Sequence, residues 1–455
     1  MEFHPQDYTA EPAQMFGRIS GLQHPVWLDS GKPASSQGRY DILTALPEQI
    51  LSVENPNSNV GEVDHFARKA QELLDLHRVP AQAEACPFQG GLIGFWSYDL
   101  FAHDFGIADR TPTRQPINFP LAFLGLYLWA LIYDHQRQSA FLVIHPACAP
   151  GTRETVINLL RSPDKPAPVS HFQLTGRFEA SETREKYLYS IEQIKDYICA
   201  GDVYQVNYAQ HFWASYRGDT VSAYLNQRAQ HPAPFSAYIG LGDGKAVISH
   251  SPEEFLNVLG REVQTQPIKG TAPRSSDAET DQQNAENLQS SAKDRAENLM
   301  IVDLLRNDLG KACKPGSISV PRLFELQSFS NVHHLVSKVQ GLLREDVSIL
   351  ELLRLCHPGG SITGAPKQRA MEIIAQLETV TRSLYCGSIG YISLCGRSHT
   401  NIAIRTMIAD GTHIHCWGGG GIVADSDAHK EYQETLFKIG PMMESLERHL
   451  RRDTI

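Results

Sequence analysis

Paired cysteines are missing from this sequence. Its eight cysteines (Cys86, Cys148, Cys199, Cys313, Cys356, Cys386, Cys395 and Cys416) are scattered, with no Cys-x-x-Cys spacing. That pattern fits a reducing compartment better than a disulfide framework or a zinc site. A basic excess is missing too. Lys and Arg number 41 against 51 Asp and Glu, a formal net charge of −10, and no Lys/Arg cluster suited to a phosphate backbone is present. General nucleic-acid binding is therefore not expected. A small anion is still admissible, because a few local cations or a bound metal can reverse the field in one cleft. The longest uncharged stretch, Ile117 to Tyr133, is short for a membrane span and is broken by Pro120 and Gly125. It reads as buried strands. No basic start followed by an apolar run opens the chain, and no short repeat or low-complexity tail is evident. The expectation is a cytoplasmic protein without membrane contact.

With 455 residues, 42% hydrophobic and 20% charged, the chain exceeds one ordinary core and suggests two domains or one large duplicated one. Residues 1–160 mix short apolar strands with helices, among them Glu62 to His77, whose Val63, Phe66, Ala70, Leu73 and Leu74 form one stripe. A polar, proline-punctuated linker is expected within 161–180. Residues 181–455 alternate strands and helices, starting with a helix capped by Ser181 or Thr183.

Several segments of this second part carry polar groups beside glycine. Glu262 to Ile268 reads as a strand that runs into a turn at Lys269-Gly270-Thr271. A lysine there is a solvated strand end, or a nucleophile if an apolar pocket lowers its pKa. In the helix around Ala292 to Asp308, Glu297 shares a face with Ile301, Leu304 and Leu305, and Asp294 lies one turn earlier. An inward carboxylate needs a cationic partner or a metal. In a second helix Glu431 and Glu434 share a face and Lys438 follows at i+4, either a solvated pair or part of a site. The preceding run Gly418 to Gly421 reads as an amide-exposing turn suited to an anionic or carbonyl oxygen. His334 lies in an apolar strand, Ser361 in the glycine loop Pro358 to Lys367, and Arg405 within the apolar segment Ile402 to Met407. That loop lacks Walker spacing, so nucleotide binding is not expected. An arginine in such a strand suits bidentate carboxylate recognition.

Together these blocks, with Ser251-Pro252-Glu253, Gly387 to Tyr391 and Gly419 to Lys438, resemble the chorismate-utilising enzymes over about Glu182 to Leu446. That family includes anthranilate, aminodeoxychorismate, isochorismate and salicylate synthases. The resemblance implies an α+β fold of two subdomains: a mostly antiparallel two-sheet β core with helices packed outside and a cleft between. It makes 1–160 an accessory region of the anthranilate and aminodeoxychorismate type, and 181–455 the catalytic domain. Lys269 stands where anthranilate synthases usually have alanine, and Gln205 stands where the isochorismate branch has a water-activating lysine. Both differences favour amination of chorismate at C4, giving 4-amino-4-deoxychorismate for 4-aminobenzoate and folate synthesis. The main alternative is an anthranilate synthase component I. A pyridoxal-phosphate enzyme with Lys269 as Schiff-base lysine and a binding-only pseudoenzyme are more distant readings.

By resemblance, Lys269 is the nucleophile and Glu253 the acid and base. Glu297 and Glu434 hold Mg²⁺, with Asp294 and Glu431 as outer-shell carboxylates. Gly270, Thr271, His334, Ser361, Tyr385, Arg405, Gly419, Gly420, Gly421 and Lys438 bind the substrate. No cysteine sits in a Gly-x-Cys-x-Gly elbow, so ammonia is expected from a separate glutamine amidotransferase subunit. The tryptophan-feedback motif of anthranilate synthases is not found. An equivalent tryptophan pocket could still be formed by Ser30, Arg39, Tyr40, Pro234, Phe235 and Ser236. Trp417, where relatives commonly have a small residue, has no role on this reading.

Overall fold

The uncharged run Ile117 to Tyr133 shows how the chain is assembled. It forms two strands, Ala122–Tyr127 and Trp129–Asp134, in which every residue is buried. Unbroken apolar character is what a strand covered on both faces requires. Only Leu128 separates the two, yet they enter different sheets. Ala122–Tyr127 pairs with Gln49–Val53 and Gly91–Trp96, whereas Trp129–Asp134 pairs with Tyr40–Thr44 and Ser139–Ile144.

The computed structural model describes all residues except 36, 55–59, 82–85, 108–116, 162–170, 329–331, 449 and 451–455. Among them the strands form a 13-stranded and a 10-stranded sheet. Adjacent strands run antiparallel throughout the central pairings of both. Helices pack outside, so the expected α+β architecture of two antiparallel sheets holds. The division at 161–180 is not a division of the sheets: Val26–Asp29 pairs with Phe235–Gly242 in one, and Gly91–Trp96 pairs with Ser388–Ser393 in the other. Residues 162–170 of the expected linker lie outside the described residues, while Phe172–Leu174 and Glu179–Ala180 within it are short strands paired with Gln205–Gly218. No described helix is long and apolar enough to cross a membrane.

Helix placement follows local chemistry. Val60–Leu76 buries Val63, Phe66, Ala70, Leu73 and Leu74, the stripe read from sequence. Arg184–Cys199 is capped by Thr183, not Ser181: the Thr183 hydroxyl accepts from Lys186 N at 3.3 Å. Ala292–Ala312 and Ala428–Glu447, the two carboxylate-bearing helices, are capped by Ser291 and Asp427. Such caps contribute about 1 kcal/mol each.

Three local expectations are corrected. Lys269 does not sit at a strand end: the strand Ile268–Pro273 runs through it. Gly270, at φ +81°, forms a bulge there, so that Lys269 faces Leu335 while Thr271 already faces His334. A glycine bulge re-aims its neighbours without ending the ladder. The glycine run is not a turn either. Gly418 to Gly421 lie within the strand His413–Ile422, paired to Gln210, Ala209, Tyr208 and Asn207. Arg405 is not within a strand but in the bend between Ser398–Ile402 and Thr406–Asp410, with φ +49°.

Candidate active site

Lys269 and Glu253 come together at Ser361. The Lys269 amine donates to the Ser361 carbonyl at 3.2 Å, while the Ser361 side chain hydrogen-bonds the Glu253 carboxyl. Glu253, 5% exposed, follows the strand Lys245–Ser251, and its amide donates to Ser251 Oγ at 3.2 Å. Burial pushes its pKa up to about 7, with the Ser361 hydrogen bond and the Lys269 charge pulling the other way. Burial lowers the Lys269 pKa, with Lys438 acting in the same sense; Glu253, Glu297 and Glu434 oppose it. A carboxyl that holds its proton near neutrality beside an amine that loses one more readily is a suitable pair for acid–base and nucleophilic chemistry.

Glycine lets the acidic helices approach the backbone. A Cβ on Gly420 would lie 3.2 Å from Glu431 Oε2 and 3.8 Å from both Glu434 Oε1 and Lys438 Nζ. One on Gly270 would lie 3.1 Å from Asp294 Oδ1. Lys438 Nζ bridges Glu434 at 2.7 Å and the Gly419 carbonyl at 3.0 Å, so this half-exposed pair also ties helix Ala428–Glu447 to the glycine strand. Burial raises Glu297 and Glu431, and the mutual charges of Asp294, Glu431 and Glu434 add to it. Burial would raise Glu434 too, but Lys438 outweighs it and the net shift is downward.

The remaining residues take different roles. His334 is buried, and its Nδ1 lies 2.9 Å from Thr271 Oγ1. Burial brings its pKa down to about 4, so the ring is neutral at physiological pH. Arg405 keeps much of its surface exposed, yet the protein packed around its guanidinium works against the charge. Tyr385 is buried and stacks on Trp417, with ring centroids 6.0 Å apart and planes at 6°. Trp417 in turn lies against His211 at 4.7 Å. Its role, absent from the sequence reading, is to back the Tyr385 ring.

Two buried ion pairs fix the Ser361 loop, and neither was legible in the sequence. Arg382, fully buried, binds Glu378 at 2.7 Å and donates to the carbonyls of Ile362 at 3.0 Å and Asn207 at 2.6 Å. Glu378 also accepts from Ala209 N. An i, i+4 Glu–Arg spacing ordinarily reads as a surface pair. Lys367 contacts Asp308 at 2.6 Å and the carbonyls of Cys356 and Pro358. It closes the loop Pro358 to Lys367 from behind.

Five of the six residues of the expected tryptophan pocket share one cavity. Arg39, Tyr40, Pro234, Phe235 and Ser236 line a cavity of about 460 Å³ between the sheets, together with Tyr391 and His399. Ser30 follows the lining residue Asp29, and its amide donates to Asp41 Oδ1 at 2.6 Å. Arg39 is already paired with Asp134 at 2.7 Å.

A lysine–glutamate pair at the cleft and an acid cluster over a glycine strand, on two antiparallel sheets, define the class: the chain belongs to the chorismate-binding enzyme family, whose model matches residues 23–444. Aminodeoxychorismate synthase component 1 of Escherichia coli (strain K12) is 42% identical over 444 residues, covering 95% of each chain. The protein of the same name from Salmonella typhimurium (strain LT2) is 43% identical over 445 residues, again covering 95% of each. The crystal structure of anthranilate synthase component I from Streptococcus pneumoniae TIGR4 superposes with a TM-score of 0.76 at 29% identity, covering 89% of this chain and 92% of that one.

The raised Glu253 pKa carries a sign that can be measured. The folded protein holds this proton more tightly than the unfolded chain, so the group's contribution is present at low pH and is lost as pH rises from about 4.5 through about 7. Glu253→Gln removes that loss. The variant should be more stable than wild type at pH 8 by up to about 3 kcal/mol and nearly equal at pH 4.5, as read by urea denaturation at both values. A difference independent of pH would contradict the assignment. A second test concerns Arg382→Met, which removes the guanidinium that balances the buried Glu378 charge. It should cost about 3–5 kcal/mol, and adding Glu378→Gln should restore part of that; full additivity of the two losses in a double-mutant cycle would argue against the coupling.

Proposed function

We propose that this protein aminates chorismate at C4, forming 4-amino-4-deoxychorismate with ammonia delivered by a separate glutamine amidotransferase subunit. The observation that carries the reading is the pairing of Lys269, an amine with a lowered pKa, with the buried Glu253 carboxyl at about 7. The names of the relatives at 42 and 43% identity support the same branch, and "component 1" in those names accords with a partner protein.

In the proposed sequence, Lys269 Nζ attacks C2 of the ring, the ring double bonds shift, and the C4 hydroxyl leaves as water with the proton held by Glu253. Glu253, now a carboxylate, takes a proton from the newly bonded amine. Ammonia then attacks C4, the C2–Nζ bond breaks, and the proton returns to Lys269. The net change is chorismate plus ammonia to 4-amino-4-deoxychorismate plus water. Gly270 opens the bulge that aims Lys269 and Thr271, and Ser361 ties the two reacting side chains together. Neutral His334, through Thr271, offers the ring side a hydrogen-bonding pair without added charge. On this reading Arg405 and Tyr385 would take the enolpyruvyl carboxylate, and Lys438, Gly419, Gly420 and Gly421 would face the ring carboxylate.

Mg²⁺ fits this donor set. Glu297 and Glu434 would hold it, with Asp294 and Glu431 behind, because hard carboxylate oxygens partly withdrawn from water suit a hard dication. Bound there, it would supply positive charge to the ring carboxylate of the substrate. The cavity lined by Arg39, Tyr40 and Pro234 to Ser236 is a second ligand site on this reading, of a size and aromatic character that admit tryptophan.

Incubation of the purified protein with chorismate, MgCl₂ and ammonium salt should yield 4-amino-4-deoxychorismate by mass spectrometry, and a 4-aminobenzoate-forming lyase should convert it. Lys269→Ala should lower kcat by at least about a hundredfold. Anthranilate as product would move the chain to the neighbouring branch, and a wild-type rate in Lys269→Ala would remove the covalent step. For the second cavity, tryptophan should raise Tm in a concentration-dependent way, and Ser236→Trp, which fills the wall, should abolish the shift. An unchanged Tm at saturating tryptophan would dismiss that ligand.

A further inference from the structure

The strand that ends in the glycine run begins at a cluster the proposed reaction does not use. Asp410 closes the strand Thr406–Asp410, and His413 and His415 open the next, with Thr412 and Gly411 in the turn between. His413 and His415 are two residues apart, so both rings project from one face of the strand. Asp410 Oδ2 lies 3.1 Å from His415 Nε2 and 3.7 Å from His413 Nδ1. One ligating atom from each of the three residues falls within 4.8 Å of the others. Nitrogen and oxygen ligands held tetrahedrally at 2.0–2.1 Å from one ion stand about 3.3 Å apart, so the three atoms are already near the required spacing.

The supports behind the cluster strengthen the case. Asp410 Oδ1 accepts from Thr412 N at 2.8 Å, Thr412 Oγ1 at 2.8 Å and His413 N at 2.7 Å. The turn therefore saturates one oxygen and turns the other toward the rings. His415 Nδ1 lies 3.1 Å from His211 Nε2, and His211 Nδ1 lies 2.6 Å from Ser181 Oγ. Without an ion His415 Nε2–H donates to Asp410 Oδ2; in the ion-bound form His415 Nδ1–H would donate to His211 Nε2 and His211 Nδ1–H to Ser181 Oγ, which frees the His415 Nε2 lone pair for the metal. This is how a ligating imidazole is ordinarily oriented. His413 Nδ1 meets Thr412 Oγ1 at 2.9 Å, a contact that an exposed hydroxyl rotor readily exchanges for water. His413 keeps 37% of its side chain exposed against 11% for Asp410 and 9% for His415, which leaves a fourth position open to solvent.

We propose that Asp410, His413 and His415 form a zinc site, separate from the acidic cleft, in which two imidazoles, one carboxylate and one water bind a single Zn²⁺. Imidazole nitrogen selects Zn²⁺ over Mg²⁺, which prefers all-oxygen ligands. The ion would clip the turn between the two strands. Through His415 and His211 it would also hold the aromatic stack of Trp417 and Tyr385 at the far end of the strand.

The test uses the full-length chain without a histidine tag, titrated with Zn²⁺ in excess MgCl₂ by calorimetry, and with Co²⁺ for absorption spectra. One equivalent should bind, X-ray absorption of the zinc-loaded protein should show two imidazoles in the coordination shell, and Tm should rise. His413→Ala and Asp410→Asn should each weaken binding at least tenfold, and the half-buried His413 lies at the edge of the strand, where its replacement leaves the sheet intact. Glu297→Gln should leave the equivalent intact, which separates this site from the proposed Mg²⁺ site. Failure of the wild type to take up one equivalent, an imidazole-free shell, or undiminished binding in His413→Ala would overturn the proposal.

Discussion

The close approach of helix Ala428–Glu447 to the backbone of strand His413–Ile422 is the constraint on which the site rests. A Cβ at Gly418 would lie 2.9 Å from Thr435 Cγ2, and one at Gly419 would lie 2.4 Å from Tyr208 O. Side chains there would lift the helix or open the sheet, and close-packed interiors give little room for either. Because the strand is bare, Glu431, Glu434 and Lys438 reach its backbone directly, and Lys438 locks onto the Gly419 carbonyl. The glycines serve the site through what they allow to come near.

A similar economy governs the other wall. The bulge at Gly270 turns Lys269 and Thr271 toward Ser361 and His334. The loop they meet is held from behind by Arg382 and Lys367, each spreading its donors over a carboxylate and two backbone carbonyls. Buried charge is costly unless every donor is used. These two cations satisfy that condition by stitching loop, strand and helix together, which fixes the carbonyl that receives the Lys269 amine.

Much of this was legible in the sequence, and the parts that were not share a cause. Apolar periodicity identified helix Val60–Leu76 and its buried stripe, and unbroken apolar character identified the doubly covered strands after Ile117. The recognisable blocks around Glu253, Lys269, Glu297 and Glu434 gather in one place. The errors fell where tertiary contact overrides local propensity. Four glycines in a row favour a turn on their own, and the ladder to Asn207 through Gln210 makes them a strand. Lys-Gly-Thr looks like a strand end until the ladder across to Leu335 and His334 carries it on. Arg382 and Glu378 carry a surface spacing, and nothing local says that they are buried.

Charge balance links these observations to the substrate. Asp294, Glu297, Glu431 and Glu434 crowd a cleft in which Lys269, Lys293 and Lys438 act on the carboxylates, within a chain of net charge −10. A dicarboxylate such as chorismate would meet an unfavourable field on the acidic side. Burial raises the pKa values of Glu297 and Glu431, and repulsion among the neighbouring carboxylates adds to it. A dication held by those carboxylates would reverse the field locally. Arg405, set apart on its own bend, could then take the second carboxylate, so that the two charges of the substrate are separated along the cleft and its ring lies across Lys269.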